Sequence, residues 1–298
     1  MKERDTKRLL VTGASGMVGS YVEEIFDTYE LLLTDAIGEN KLDITRTEEV
    51  FYWMEKFKPD VLLHLAAATD VDLCERDPDT AYLINAKGTE TIAKACQKQS
   101  VCMVYLSTAV VFDGLKTTPY REEDLPNPVS VYGKSKWKGE QAVTLHLKDF
   151  YIIRAGWMMG GGRRDKKFVG KIAHKILSGE KELRVVDDKF GSPTYAKDML
   201  GAIKNLLCSS PCGTYHAVNG FGCSRYDVAL EIKSILNVHD VSILPVSSTV
   251  FDLDAPRACS EQIMNGKFIK QNTPWMRDWK EALREYLLNE YVVDFNKK

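Results

Sequence analysis

Val11-Thr12-Gly13-Ala14-Ser15-Gly16-Met17-Val18-Gly19 reads as the end of a buried strand that runs into a glycine turn, spaced G-x-x-G-x-x-G, and then into a helix. Glycines in such a turn let the backbone approach a pyrophosphate, and the first helical turn offers it N–H groups and a partial positive charge. A glycine turn without a ligand has the same composition, so the surroundings decide. Here the turn follows the first apolar run, and Asp35 closes the next one, as in a first β-α-β unit that holds a dinucleotide. Gly13, Ser15, Gly16, Met17, Val18 and Gly19 are the candidate residues on the phosphate side. The Asp35 carboxylate is placed to accept the adenosine ribose hydroxyls and to repel a 2′-phosphate, which favours NAD(H) slightly over NADP(H).

Outward from the turn, continuous apolar or β-branched runs at 9–12, 31–34, 61–65, 101–107 and 151–154 alternate with amphipathic stretches at 17–29, 47–56, 78–98 and 130–147. Such runs suit strands buried on both faces, and the stretches between them are long enough to be crossover helices. The alternation predicts an α/β fold with a Rossmann-like, doubly wound parallel sheet. After residue 155 the rhythm loosens. Gly160-Gly161-Gly162-Arg163-Arg164 reads as a flexible basic loop; then come a helix over 168–178, a strand over 183–186, a turn at 191–194, a helix near 196–207, a strand near 214–218 and helices near 224–236 and 274–288. The prediction is a dinucleotide-binding domain at 1–155 and a smaller C-terminal α/β substrate lobe at 156–298. The lobe is partly interleaved with the first domain and lies over the strand ends, where open α/β sheets bind ligands.

The composition of the 298 residues, 44% hydrophobic and 28% charged, supplies a large core and excludes a disordered or fibrous chain. The 40 basic and 42 acidic side chains nearly cancel at net −2, so no overall field draws the chain to nucleic acid or an anionic membrane. No apolar run reaches the roughly 18 residues of a spanning helix, and the charged residues 1–8 lead at once into a short strand instead of a signal-peptide core. The expectation is a cytoplasmic protein, monomer or homodimer, with a small-molecule partner and neither nucleic acid nor membrane. Seven cysteines without a Cys-x-x-Cys pair and five scattered histidines make no metal constellation and suit reduced thiols. Cys96 and Cys102 read as core filler.

A second signature, Tyr132-Gly133-Lys134-Ser135-Lys136, falls near the start of the helix predicted over 130–147. Spacing of four puts Tyr132 and Lys136 on one helical face, where an ammonium can lower the phenol's pKa from about 10. A tyrosine so tuned can pass a proton to a carbonyl oxygen while hydride arrives at its carbon. A packed ring beside a solvated amine has the same spacing. What singles this pair out is its place downstream of the glycine turn and of Ser107-Thr108 at the end of the fourth apolar run.

These residues stand in a longer ordered series. Lys58-Pro59-Asp60-Val61 leads to His64-Leu65-Ala66-Ala67, followed by Asn85-Ala86-Lys87-Gly88-Thr89 and by Tyr105-Leu106-Ser107-Thr108 with Val111-Phe112-Asp113-Gly114. Then come Tyr120-Arg121-Glu122-Glu123-Asp124, Pro126-Asn127-Pro128, the Tyr132 segment with Gly139-Glu140, and Asp188-Lys189-Phe190-Gly191-Ser192-Pro193-Thr194. Over nearly its whole length the chain resembles the extended short-chain dehydrogenase/reductase superfamily and, within it, the dTDP-4-dehydrorhamnose reductase family. The resemblance implies reduction of the 4-keto group of a nucleotide-linked deoxysugar by NADH or NADPH. It implies Tyr132 as general acid, Lys136 as its electrostatic partner and ribose ligand, and Thr108 with Ser107 at the reacting oxygen. It places Asp43 and Ile44 at the adenine, Leu65, Ala66, Ala67 and Ala68 along the cofactor cleft with Asn85 beside them, and Val110 and Trp157 at the sugar. Trp157 has an equal reading as a core aromatic.

The chain also departs from the family pattern. Where the family commonly reads Ser-Thr-Asp-Tyr-Val-Phe, this sequence has Ser107-Thr108-Ala109-Val110-Val111-Phe112, which is expected to remove an acid beside the reacting centre and leave a more apolar pocket. The family's late Arg-Pro pair is Ala255-Pro256, with Arg257 next. Tyr21 stands where some members carry a glutamate for a metal-bridged dimer, so no such bridge and no metal are expected. Two alternatives share these features: a nucleotide-sugar 4-epimerase, and a non-catalytic regulatory subunit of the methionine adenosyltransferase β type.

Overall fold

A computed structural model describes residues 6–220, 222–271 and 276–297. At its centre lie β1 (Arg8–Thr12), β2 (Glu30–Thr34), β3 (Val61–His64), β4 (Cys102–Thr108), β5 (Phe150–Ala155) and β6 (Gly213–Ala217). They form one parallel sheet in the order β6-β5-β4-β3-β1-β2. Alternate strand residues enter different cores. Leu9, Val11, Leu63, Val104 and Ile153 pack on one face with the helix Ala196–Ser209. Leu10, Leu62, Met103, Tyr105 and Ile152 pack on the other with the helices Thr47–Phe57 and Thr89–Gln99. Because both faces are covered, these strands read as continuous apolar runs, and the Rossmann-like doubly wound sheet expected from them is the one observed. Cys96 is fully buried in the second core.

The chain leaves β1 for β2 and then returns to place β3 on the other side of β1. The direction of winding reverses there, which opens a crevice at the carboxyl ends of β1 and β3. β6 comes from the second half of the chain and pairs His216 with Arg154 of β5. The rest of that half forms small sheets: Trp157–Met159 with Pro193–Tyr195, Glu182–Val186 with Ser242–Val246, and Phe190–Gly191 between Cys223–Ser224 and Ser260–Glu261. The helices Phe168–Leu177, Arg225–Ile235 and Trp279–Tyr286 pack around them.

Three helices differ from the sequence reading. That expected over 17–29 is a 3₁₀ turn, Gly19–Tyr21, and one α-helical turn, Val22–Ile25. The fully buried Phe26 leaves helical geometry, the Tyr29 N–H turns back to its carbonyl at 2.9 Å, and the two rings pack edge to face. The stretch 78–98 is continuous but contains a π-helical turn, Leu83–Gly88, between Pro78–Tyr82 and Thr89–Gln99. The last helix begins at Trp279; residues 272–275, with Pro274, and residues 1–5 of the charged start lie outside the described residues.

Candidate active site

The glycine turn sits at the switch point. Gly13 takes φ +72°, and a Cβ there would come within 2.7 Å of Ala66 N, so the turn closes against the chain leaving β3. Gly16 differs, because a Cβ there would meet only Gly13 O, at 3.3 Å, and the space before it is open. Among the described residues the Met17 and Val18 N–H groups have no acceptor. Half-buried Leu65, Ala66, Ala67 and Ala68 form the facing wall, with Leu65 N donating to Thr12 O at 3.1 Å. An open glycine face with free N–H groups fits a pyrophosphate.

Asp35 folds back onto the turn. Its Oδ2 accepts from Ser15 N at 2.9 Å and Ser15 Oγ at 2.5 Å, and its Oδ1 from Ala36 N at 2.8 Å. Burial pushes the carboxyl up, but these hydrogen bonds outweigh it and hold the group below its usual value. The neighbouring candidates support the crevice wall. Asp43 accepts from Thr45 N at 2.9 Å and Thr45 Oγ1 at 2.7 Å, and Ile44 is buried in the second core. Asn85, fully buried on the π-helical turn, accepts from Ala68 N at 2.8 Å and donates to Ala68 O at 2.9 Å and Ser135 Oγ at 3.0 Å. An amide so committed ties the wall to the next helix.

That helix, Val131–His146, starts with Ser130 Oγ accepting from Gly133 N at 3.2 Å and Glu75 accepting from Val131 N at 3.0 Å. Gly133 lets it lie directly on the turn after β4, since any Cβ there would overlap the Val110 carbonyl. This approach brings the half-buried Tyr132 phenol near Thr108, which favours its ionised form and whose Oγ1 accepts from Val110 N at 3.1 Å. Lys136, 3% exposed, lies 4.1 Å from the centroid of the Tyr105 ring.

The electrostatics correct the sequence expectation. Burial pushes the Tyr132 phenol up to about 12 against the opposing effect of Thr108, and pushes Lys136 down to about 7 against the attraction of Glu140. Lys136 therefore does not lower the phenol at rest. Its amine rests on the Tyr105 face, and burial shifts both groups toward their neutral forms. The phenol keeps its proton at neutral pH and stands as a donor.

Neighbouring residues of a strand face opposite ways, and Ser107 turns from the crevice. Its Oγ donates to Glu140 Oε1 at 2.5 Å, and Glu140 also takes Arg154 Nε at 3.0 Å and Nη2 at 2.7 Å. This buried cluster, of which Glu140 carried no assigned role in the sequence reading, braces the helix against β4 and β5. Ala109 is 2% exposed among Val111, Phe112 and Tyr120. It faces that apolar cluster, so its lack of a carboxylate leaves the crevice unaltered, contrary to the expectation of a more apolar pocket. Glu261 and Cys74 act through space on the phenol and push it up, after burial. Glu261 accepts from Trp157 Nε1 at 2.7 Å, and the half-buried Trp157 ring carries the Arg225 guanidinium 3.8 Å from its centroid. Glu261 and Arg225 belong to no motif, and nothing local in the sequence marks them.

Two further residues are otherwise engaged. Arg257 is held by Asp72 at 2.7 Å and the Ala255 carbonyl at 2.9 Å. Tyr21 is buried, donating to Glu290 and accepting from Gly161 N at 2.5 Å. Among the described residues no group of three or more His, Cys, Asp or Glu side chains could hold a metal ion, and no helix is long and apolar enough to cross a membrane.

With this geometry in place, the chain matches the family described as the RmlD substrate binding domain over residues 7–292. It is 36% identical over 282 residues to the spore coat polysaccharide biosynthesis protein SpsK of Bacillus subtilis, covering 94% of this chain and 96% of that one. A solved dTDP-4-dehydrorhamnose reductase from Yersinia enterocolitica is 38% identical with a TM-score of 0.86, covering 95% of this chain and 99% of that one. A second, from Bacillus anthracis in complex with NADP, is 32% identical with a TM-score of 0.90 and covers 95% of this chain and 99% of that one.

Proposed function

This chain belongs to the RmlD substrate binding domain family, and from that membership we propose that it reduces the 4-keto group of a nucleotide-linked deoxysugar with NADH or NADPH. The observation that carries the reading is the presence, along the carboxyl ends of β1, β3 and β4, of an open glycine face and of Thr108, the protonated Tyr132 phenol and Lys136. Bound NAD(P)H supplies the hydride. Gly16 and the Met17 and Val18 N–H groups hold its pyrophosphate, residues 65–68 line its course, and the charged Asp35 at the ribose end favours NADH.

Tyr132 gives its proton to the sugar oxygen as that oxygen gains charge. Thr108, near the phenol, orients the sugar oxygen for the transfer. Lys136, one helical turn on, becomes a better base once a phenolate forms near it, because an adjacent anion favours the ammonium. Glu140, held by Ser107 and Arg154, keeps a carboxylate within range of that amine. Trp157 and the lobe at 156–298 take the sugar side.

The test is consumption of reduced nicotinamide, followed by its near-ultraviolet absorbance, over a panel of 4-keto sugar nucleotides that includes dTDP-4-dehydrorhamnose. Tyr132→Phe should lower turnover by about 100-fold or more while cofactor affinity holds, and Lys136→Met should damage both. Wild-type turnover in Tyr132→Phe, or no consumption with any member of the panel, sinks the reading.

A further inference from the structure

Against Trp157 stands a cation that has no ion pair or hydrogen-bond acceptor among the described residues. Arg225 opens the helix Arg225–Ile235, and its guanidinium lies against two rings, 3.8 Å from the centroid of Trp157 and 4.8 Å from that of Phe168. The small sheet in which Phe190–Gly191 runs between Cys223–Ser224 and Ser260–Glu261 builds this arrangement. Gly191 is required at its middle, because any Cβ there would overlap the Trp157 ring. One flanking strand delivers Glu261 to the indole N–H at 2.7 Å, and the other ends in Ser224, which caps the helix through reciprocal hydrogen bonds with Asp227 of 3.0 and 2.8 Å. The cap fixes the direction in which Arg225 leaves the backbone.

Arginines of comparable or deeper burial are paired: Arg154 with Glu140, Arg257 with Asp72, Arg277 with Asp198. Arg225 is half-buried, and among the described residues its guanidinium has neither an ion pair nor a hydrogen-bond acceptor. Glu261 attracts it from beyond bonding distance, while burial pushes the guanidinium down to about 10. The same Glu261 acts through space on the Tyr132 phenol and on the Arg225 guanidinium. A partly desolvated cation held only by ring faces is costly until an anion arrives. Rings engage a guanidinium through its face, while its N–H donors fork from the edge, which is the side that meets an oxyanion.

We propose that Arg225 is the anion receptor of the substrate cleft, its free edge taking phosphate oxygens of the diphosphate that joins nucleoside to sugar. The proposal rests on the reading of the chain as a nucleotide-sugar reductase and adds a specificity-determining residue to it. The diphosphate is where such a substrate carries its charge. With the sugar against Trp157, the diphosphate attached to it would meet the guanidinium that stacks on that ring.

The experiment uses the full chain saturated with NADPH, in wild-type, Arg225→Gln and Arg225→Lys forms, titrated calorimetrically with dTDP, UDP and the matching nucleosides. In Arg225→Gln the nucleoside diphosphate that binds wild type should weaken by about tenfold to a hundredfold, the range of a hydrogen bond to a charged group. The nucleosides should change by less than about twofold, with NADPH affinity and melting temperature held. Arg225→Lys should fall between, because lysine keeps the charge but loses the fork and the stacking. In turnover, KM should rise by a larger factor than kcat falls. Equal diphosphate affinity in the wild type and both variants overturns the assignment and leaves the reductase reading standing. Absence of diphosphate binding to wild-type protein that binds NADPH overturns both. Should Arg225→Gln fail to fold, the lysine variant decides: wild-type affinity in it refutes the need for a forked donor, and a loss confined to the diphosphates supports it.

Discussion

Replacing Gly133 by alanine asks whether the approach of one helix to one strand end sets the chemistry. The added Cβ would lie 2.4 Å from Val110 O, 2.9 Å from Pro128 Cβ and 3.3 Å from Val110 C. Non-bonded heavy atoms settle near about 3.5 Å, and the obstructing oxygen belongs to backbone, which cannot swing aside. The first turn of the helix must therefore retreat by about 1 Å. Overpacking of this kind costs about 1–3 kcal/mol, while alanine in a helix regains up to about 1 kcal/mol over glycine. The variant should thus fold with a net loss of no more than about 3 kcal/mol. Catalysis should suffer more, since a misplacement of about 1 Å can cost about 100-fold when the reacting groups are held in register. Tyr132 adjoins the substituted residue, whereas the glycine crevice lies at β1 and β3, so kcat should fall by about that factor with cofactor affinity little changed. Steady-state kinetics and urea unfolding measure the two effects separately. Gly201, in the helix Ala196–Ser209, has nothing within 4 Å of a built Cβ, and Gly201→Ala should gain about 0.4–1 kcal/mol with unaltered turnover. Wild-type kcat in Gly133→Ala, or a loss no larger than its unfolded fraction, refutes the reasoning.

Two other outcomes follow from the charges. Burial pushes the Asp165 carboxyl from 3.8 up to about 6 against hydrogen bonds from Lys167 N and Tyr286; the folded state then binds the proton more tightly, and stability from this group is present below about 4 and lost as pH rises to about 6, by up to about 3 kcal/mol at about 1.4 kcal/mol for each pH unit. Asp165→Asn should therefore be the more stable form at neutral pH, with its advantage in urea shrinking as pH falls through that window, and an advantage independent of pH contradicts the assignment. Asp35→Ala should shift the ratio of NADPH to NADH affinity toward NADPH by about tenfold, roughly 1.4 kcal/mol, as read by nicotinamide fluorescence; an unchanged ratio removes Asp35 from cofactor choice.

The parallel sheet, the glycine turn and the Tyr132–Lys136 pair were legible in the sequence because each is a local pattern. A run of apolar residues signals burial on both faces, a glycine series signals a turn, and spacing of four signals one helical face. What surrounds these elements was not legible. Ser107 and Thr108 are neighbours in sequence, yet the pleat sends one to Glu140 and the other to Tyr132. Ala109 is buried in an apolar cluster with Phe112, Tyr120 and Val218, because the turn after β4 meets segments far along the chain. Lys136 was expected to tune Tyr132, but the depth at which the helix is seated puts its amine on the Tyr105 face and lets burial govern both groups. The surroundings of Trp157 draw Gly191 and Glu261 from two strands, and Arg225 from the helix that follows a third, which meet only through the pairing of a small sheet. Periodicity and turn chemistry act over a few residues and are written in the chain. Desolvation and charge depend on which distant atoms share a volume, and strand register and helix packing decide that.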